Sequence, residues 1–230
     1  MRKTTFDYAS KHYKPQDSYY SKADEIRAQK VLKFIGRGKK VLDLGCFDGT
    51  IGQKIAAQGN QVWGIDASAE VVKQARKNNV KAQVGDVTQK LTFKEGFFDV
   101  VFAGEILEHI VDTDFFLAEI KRVLKPKGTL IITTPNVASL GRRLLLLFGK
   151  NPYLEASLGF PTDLSSGHVR FYTKDLLISF LEHKGFEVVC FESDIVNLSS
   201  KIYSKRLANI FPTLGRTLLV KAKLVYKQKD

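Results

Sequence analysis

Glu105, Glu108 and His109 are spaced i, i+3 and i+4, so a helix through GEILEHI would put two carboxylates and an imidazole on one face. His168 would extend the group to two carboxylates and two imidazoles. Such a set has two uses. Carboxylate oxygens suit magnesium, while imidazoles admit manganese, iron or zinc. Without a metal, an imidazole can take the proton of a hydroxyl as a general base. We expect catalytic roles for His109, Glu105 and His168, with Glu105, Glu108, His109 and His168 as the candidate metal ligands. The plainer reading leaves His109 lining a pocket and the glutamate pairing nearby. His168, Arg170 and Tyr172 alternate in GHVRFYT and, if extended, present a basic hydrogen-bonding wall; the same segment could do no more than lead into the next helix.

A second constellation lies upstream, in VLDLGCFDGTIG at 41–52. Lys40 to Leu44 reads as a buried strand, Gly45 to Gly49 as a tight loop and Thr50 to Gln58 as a helix. A strand that runs through glycines into a helix lets backbone N–H groups approach a ligand closely. The dinucleotide pattern G-x-G-x-x-G fails at two of its three positions, because Phe47 and Thr50 follow Gly45. That argues against a nicotinamide cofactor. The pattern acidic-x-G-x-G-x-G is met by Asp43, Gly45 and Gly49 and broken by Phe47. Asp66 stands 21 residues beyond Gly45, at the end of a strand from Gln61 to Ile65. A βαβ unit places an acid there to accept from ribose hydroxyls, and a carboxylate can take both. Capping the next helix is the simpler role for it.

These residues need a scaffold, and the remaining pattern supplies one. Ser21 to Ile35 reads as a capped helix stopped by Gly36, and Ala69 to Asn78 as another. Lys81 to Val84 and Phe98 to Ala103 read as strands, the first ending in Gly85-Asp86-Val87. A helix from Asp112 to Leu124, a turn at Pro126 to Gly128 and a strand from Thr129 to Thr134 follow. Leu140 to Phe148 is a short apolar helix whose leucines are expected in a core. Lys174 to Lys184 is a helix capped by Thr173, and Phe186 to Ser193 a strand. Residues 197–214 are irregular or helical, and 214–226 alternate as an antiparallel edge strand.

The motif order resembles that of the class I (Rossmann-like) S-adenosylmethionine-dependent methyltransferases, over residues 36–136. GEILEHI after the fourth strand and KRVLKPKGTLIITTPN are both similar to segments of that family. The resemblance implies an α/β fold with a doubly wound, seven-stranded, mostly parallel sheet, an antiparallel last strand and helices on both faces. It implies a single domain over 1–230: an arm and helix at 1–35, a cofactor-binding half at 36–135, a lid or acceptor insertion at 136–172, and the rest of the sheet at 173–230. Asp43 would face the charged end of S-adenosylmethionine and Asp66 its ribose. Asp86 would meet the adenine amine, with S-adenosylhomocysteine as the product. Cys46, Phe47, Ala67, Gly85, Val87, Gly104 and Glu105 complete the implied cofactor set. Glycine is usual where Phe47 stands, which implies another loop path or an aromatic wall. The Glu105, Glu108, His109 and His168 set resembles that of magnesium-dependent O-methyltransferases acting on quinone precursors or RNA 3′ ends.

Composition bounds the partners. With 44% hydrophobic and 26% charged residues the chain is ordinary for a globular protein. No apolar run is long enough to span a bilayer, no secretory signal is visible, and Cys46 and Cys190 read as reduced, so a cytoplasmic location is expected. The net charge of +12 is concentrated at the ends, +7 in 1–40 and +7 in 201–230, against −2 between them. O-methylation of a small or lipid-linked polar acceptor, a sugar or quinone precursor, is the leading expectation. RNA methylation is the second reading, motivated by the charge. A non-catalytic cofactor-binding protein is the third, motivated by Phe47. Tyr8, Tyr13, Tyr19 and Tyr20 could close over a cofactor, and the leucine run offers a peripheral membrane contact as the alternative to burial.

Overall fold

Apolar runs bounded by glycine and polar turns become the strands, as periodicity predicts. The computed structural model describes residues 21–152, 167–198 and 202–225. The tyrosine arm and part of the insertion, at 153–166, lie outside the described residues. Helix α1 (Lys22–Ile35) opens with a capping box in which Ser21 and Asp24 each accept the other's backbone N–H. Strand β1 (Lys40–Leu44), helix α2 (Thr50–Ala57), strand β2 (Gln61–Asp66), helix α3 (Ala69–Lys77) and strand β3 (Lys81–Val84) follow. Then come β4 (Phe98–Gly104), α4 (Thr113–Val123), β5 (Leu124–Pro135), α5 (Leu140–Leu147), α6 (Lys174–His183) and β6 (Phe186–Ser193). A two-residue pair, β7 (Val196–Asn197) and β8 (Tyr203–Ser204), leads into α7 (Lys205–Ile210) and β9 (Thr217–Leu224).

The main sheet has seven strands in the order β3-β2-β1-β4-β5-β9-β6. β9 runs antiparallel to both of its neighbours, and β3 to β5 form the parallel part. The doubly wound sheet with a reversed last strand is therefore as expected, with one correction. β9 is interior, and β6 is the edge. Lys221 and Lys223 interrupt the apolar pattern as on a half-solvated strand, but both are half-buried and turn their ammonium groups onto neighbouring elements. Lys223 Nζ reaches Thr129 Oγ1 at 2.8 Å, and Lys221 lies over the Phe34 ring. Pro126 to Gly128 is a bulge inside β5, with Lys127 at φ 61° and the register shifted against β4.

Helices cover both faces. Phe116, Leu117 and Ile120 of α4 and Leu177 and Leu181 of α6 pack with Leu42, Leu44, Val101 and Leu130 on one side. Val31 and Ile35 of α1, Ile55 of α2 and Val72 and Ala75 of α3 pack with Val41, Val100 and Ile131 on the other. Each of these side chains larger than alanine contributes roughly 1.5–3 kcal/mol by leaving water. The leucine-rich α5 departs from expectation, because none of its eight residues is buried.

Candidate active site

The loop after β1 is held by backbone geometry that only some residues accept. Gly45 lies at φ 73° and Gly49 at φ 79°. A Cβ on Gly49 would lie 2.7 Å from the Ala75 Cα, so α2 and α3 meet there only because the residue is glycine. Phe47 adopts φ 47°, the left-handed conformation in which glycine is at home. The loop thus keeps its path, and the phenylalanine adds a side chain to the pocket wall. Asp48 Oδ1 accepts the Thr50 N–H at 2.9 Å, supplying the side-chain acceptor that Gly49 lacks at the start of α2. Cys46 is buried, with its sulfur so close to Gly64 that a Cβ there would lie 2.6 Å from it. Burial, then the Asp43 and Asp66 charges, push its thiol far up, so it is a packing residue.

A cavity of about 500 Å³ opens at the carboxyl ends of β1, β4 and β5. Asp43, Gly45, Cys46, Phe47, Gly104 and Glu105 line the sheet side, and Arg27, Arg142 and Arg216 line the side opposite in chemistry. Ion pairs tie Arg27 and Arg216 to the fold, and a hydrogen bond to the Asn136 carbonyl holds Arg142. Arg216 lies 2.9 Å from buried Asp194 and 3.1 Å from Asp24, Asp24 lies 3.1 Å from Arg27, and Arg27 lies 3.3 Å from Glu105. Burial, then the neighbouring Asp66, push the Asp43 carboxyl up to about 7. Glu105 also has a left-handed backbone, at φ 51°, and its Oε1 is buried without a hydrogen bond among the described residues. Two non-glycine residues in this sparse region, Phe47 and Glu105, thus border one cavity.

Asp66 ends β2 as expected, but its oxygens are engaged. Oδ2 accepts the Phe47 N–H at 2.9 Å and Oδ1 the Ser68 N–H at 3.0 Å. Burial raises its carboxyl by more than these backbone N–H groups lower it. Ala67 lies between Asp66 and the Ser68 N-cap of α3, and Gly85 N–H donates to the Asp66 carbonyl at 3.0 Å. Asp86 follows β3 and accepts from the Thr88 N–H and hydroxyl, and Val87 packs against the main core. Asp66, Ala67, Gly85, Asp86 and Val87 sit at the same end of the sheet as the cavity but do not line it.

GEILEHI is not an α-helix. The left-handed Glu105 turns the chain, and only Leu107–His109 forms a single 3-10 turn. The expected common face of Glu105, Glu108 and His109 is therefore corrected. Glu105 points to Arg27, whereas Glu108, His109 and His168 form a group whose ligand-type atoms all lie within 4.8 Å of one another. The Glu108 carbonyl accepts from the Val169 and Arg170 N–H groups at 2.9 and 3.1 Å, which carries His168 to its place. The two imidazole rings meet at 4.8 Å between centroids. His109 Nδ1 lies 3.1 Å from the Gly167 carbonyl, a contact that favours the tautomer with its proton on Nδ1. Glu108 is buried, with Oε2 accepting from Thr134 Oγ1 at 2.9 Å and Oε1 3.9 Å from His168 Nε2. Desolvation, then the Glu105 charge, push its carboxyl up to about 8. The expected His168, Arg170 and Tyr172 wall does not form. Arg170 turns outward to the Ile110 and Val111 carbonyls, and Tyr172 is buried in the core, its hydroxyl pushed up to about 12 by burial. One carboxylate with two imidazoles is also a poor match for magnesium, which prefers an octahedron of oxygens.

Motif reading missed Asp24, Arg27, Arg142 and Arg216. They lie on α1, on α5 and just before β9, and nothing in their local spacing distinguishes them from surface charges.

A 3-2-1-4-5 parallel order completed by an antiparallel strand, with a glycine loop after the first strand, is the Rossmann-like fold of the class I S-adenosylmethionine-dependent methyltransferases. The chain belongs to the methyltransferase-domain family, whose model matches residues 35–153, just over half of the sequence. It is similar to the ubiquinone biosynthesis O-methyltransferase of Pasteurella multocida, 34% identical over 43% of this chain and 47% of that protein. It is also similar to the mitochondrial ubiquinone biosynthesis O-methyltransferase of Rattus norvegicus, 30% identical over 66% of this chain and 45% of that protein. The chain thus spans about half the length of these curated relatives. In fold it is similar to a chain of the Haloferax volcanii complex containing the Trm112 methyltransferase activator, with a TM-score of 0.70 at 18% identity over 98% of this chain and 100% of that one. It likewise resembles magnesium protoporphyrin IX methyltransferase of Synechocystis PCC 6803 with bound S-adenosylhomocysteine, with a TM-score of 0.62 at 16% identity over 88% and 84%.

Proposed function

We propose that the protein transfers the methyl group of S-adenosylmethionine to an oxygen of a small or lipid-linked polar acceptor of the quinone-precursor type. The names of its relatives support the oxygen acceptor. The observation that carries the reading is that Glu108 and His109, in the turn after β4, meet His168, while Gly104 at the end of β4 and the adjoining Glu105 border the cavity.

The cavity fits the cofactor chemically. S-adenosylmethionine has a sulfonium, an ammonium and a carboxylate, and the walls carry Asp43 and Glu105 for the cations and arginines for the anion. Without a Cβ, Gly45 leaves room beside Ile106, whose Cδ1 would otherwise lie 2.8 Å away. When bound, the cofactor supplies an already activated methyl, so the protein must align the acceptor and exclude water. Asp43 orients the cationic end, and Asp66 and Asp86 are assigned to the adenosine. The Gly167 carbonyl holds His109 in the tautomer whose Nε2 accepts the acceptor's proton, with Glu108 and His168 as its immediate neighbours. Because the donors do not suit magnesium, no step is routed through that ion. We also propose a cytoplasmic location, supported by the unbridged Cys46 and Cys190.

The test is transfer of labelled methyl from S-adenosylmethionine to a panel of phenolic acceptors, beside calorimetry with the cofactor and its demethylated product. His109→Gln should abolish transfer at neutral pH and leave cofactor affinity within about twofold, since the ring stands outside the cofactor cavity. Failure of both cofactor forms to bind would sink the reading.

A further inference from the structure

The apolar face left unexplained by methyl transfer is centred on α5. Leu144 to Phe148 are all exposed, and Leu147 and Phe148 each show 74% of their surface. The helix is nonetheless anchored. Gly141 lies so close to β7 that a Cβ would meet the Asn197 carbonyl at 2.8 Å, and Arg142 donates to the Asn136 carbonyl at 2.7 Å. β7 packs against α5 at Gly141, and on the adjoining β7–β8 pair and α7 Leu198, Ile202, Leu207, Ile210 and Phe211 are also exposed. Exposed large apolar side chains gathered on adjoining elements mark a surface that binds something.

Charge selects what that is. Residues 137–152 contain Arg142, Arg143 and Lys150 and no acidic residue; residues 195–211 contain Lys201, Lys205 and Arg206 and none either. Arg143, Lys150, Lys205 and Arg206 are exposed beside the apolar side chains. Leucines and a phenylalanine with flanking cations are the composition of a segment that lies in a lipid interface, its apolar side chains among acyl chains and its cations at anionic headgroups. A second copy of the chain is a poorer occupant, because a two-fold contact would set the cations of these two acid-free segments against cations of the other copy.

We propose that this face docks on an anionic lipid bilayer. Docking would also place the cavity close to the membrane, since Arg142 lines the cavity from the same helix whose later residues form the apolar face. The proposal stands on the surface and does not depend on which acceptor is methylated.

Flotation of the full chain with vesicles tests it, comparing phosphatidylcholine alone with phosphatidylcholine mixed with phosphatidylglycerol. The chain should partition onto the anionic vesicles and much less onto the neutral ones. Lys150→Gln should weaken partitioning about fivefold, the effect of one interfacial cation. Leu147→Glu with Phe148→Glu should abolish it, while calorimetric cofactor affinity stays at the parent value and reports an intact fold. Equal partitioning of parent and double variant would overturn the proposal. So would absence from both vesicle types, or a dimer by light scattering that the double variant dissociates.

Discussion

The Glu108 carboxyl accepts the Thr134 hydroxyl at 2.9 Å through one oxygen and holds the other, buried, 3.9 Å from His168 Nε2. Desolvation and the nearby Glu105 hold its proton up to about pH 8, against an ordinary value near 4.5. Between those values the folded chain binds more protons than the unfolded one, so this group's contribution to stability falls as pH rises from about 4.5 through 8. Glu108→Gln keeps the Thr134 acceptor and removes the ionisation. Its unfolding free energy, from urea titrations, should decline less steeply between pH 5 and 8 than the parent's, by at most about 1.4 kcal/mol per pH unit. Parallel curves would show that Glu108 ionises freely in the fold.

Asp43 has the same sign over a lower window, from its ordinary 3.8 to about 7, because burial and Asp66 disfavour its charge. A cationic ligand against Asp43 requires the ionised form. Affinity for S-adenosylmethionine should therefore rise about tenfold from pH 6 to pH 8. Asp43→Asn should bind more weakly, with a flat profile by calorimetry. A flat profile in the parent would remove Asp43 from the cationic end of the ligand.

The left-handed backbone at Phe47 makes its substitutions unequal. Phe47→Gly relieves that conformation but adds unfolded-state entropy, so urea unfolding should move by less than about 1 kcal/mol. Phe47→Val puts a β-branched residue where few are tolerated and should cost about 1–2 kcal/mol. Equal stabilities for the two variants would mean that the loop does not hold this conformation.

At Gly49 an added methyl meets backbone, with the Ala75 Cα at 2.7 Å, and the φ of 79° adds strain. Gly49→Ala should destabilise by about 2–3 kcal/mol and weaken cofactor binding with it. Retention of both properties would show that α2 and α3 can move apart.

Arg216 pairs with fully buried Asp194 at 2.9 Å and with Asp24 at 3.1 Å. Among the described residues, Arg216→Ala leaves Asp194 the Ile195 and Thr217 N–H groups as partners and should cost about 3 kcal/mol or more. Adding Asp194→Asn should recover part of the loss. No recovery would locate the role of Arg216 in the cavity instead.

The local sequence determined the strands, the helices, their caps and the positions of Asp43, Gly45, Asp66 and Asp86 at strand ends. Those features depend on periodicity and turn chemistry within a few residues, and a buried parallel strand is apolar throughout. Tertiary structure decided what depends on residues far apart. It placed β9 between β5 and β6, where its lysines meet the Phe34 ring and the Thr129 hydroxyl. It turned the chain at Glu105, sending that carboxylate to Arg27 while Glu108 and His109 met His168, 59 residues beyond His109. It also left the α5 leucines uncovered and brought Arg27, Arg142 and Arg216 to one cavity. Spacing along a chain tells which side chains share a helix or strand face; which faces meet, and which stay in solvent, follows only when the whole sheet and its covering helices have packed.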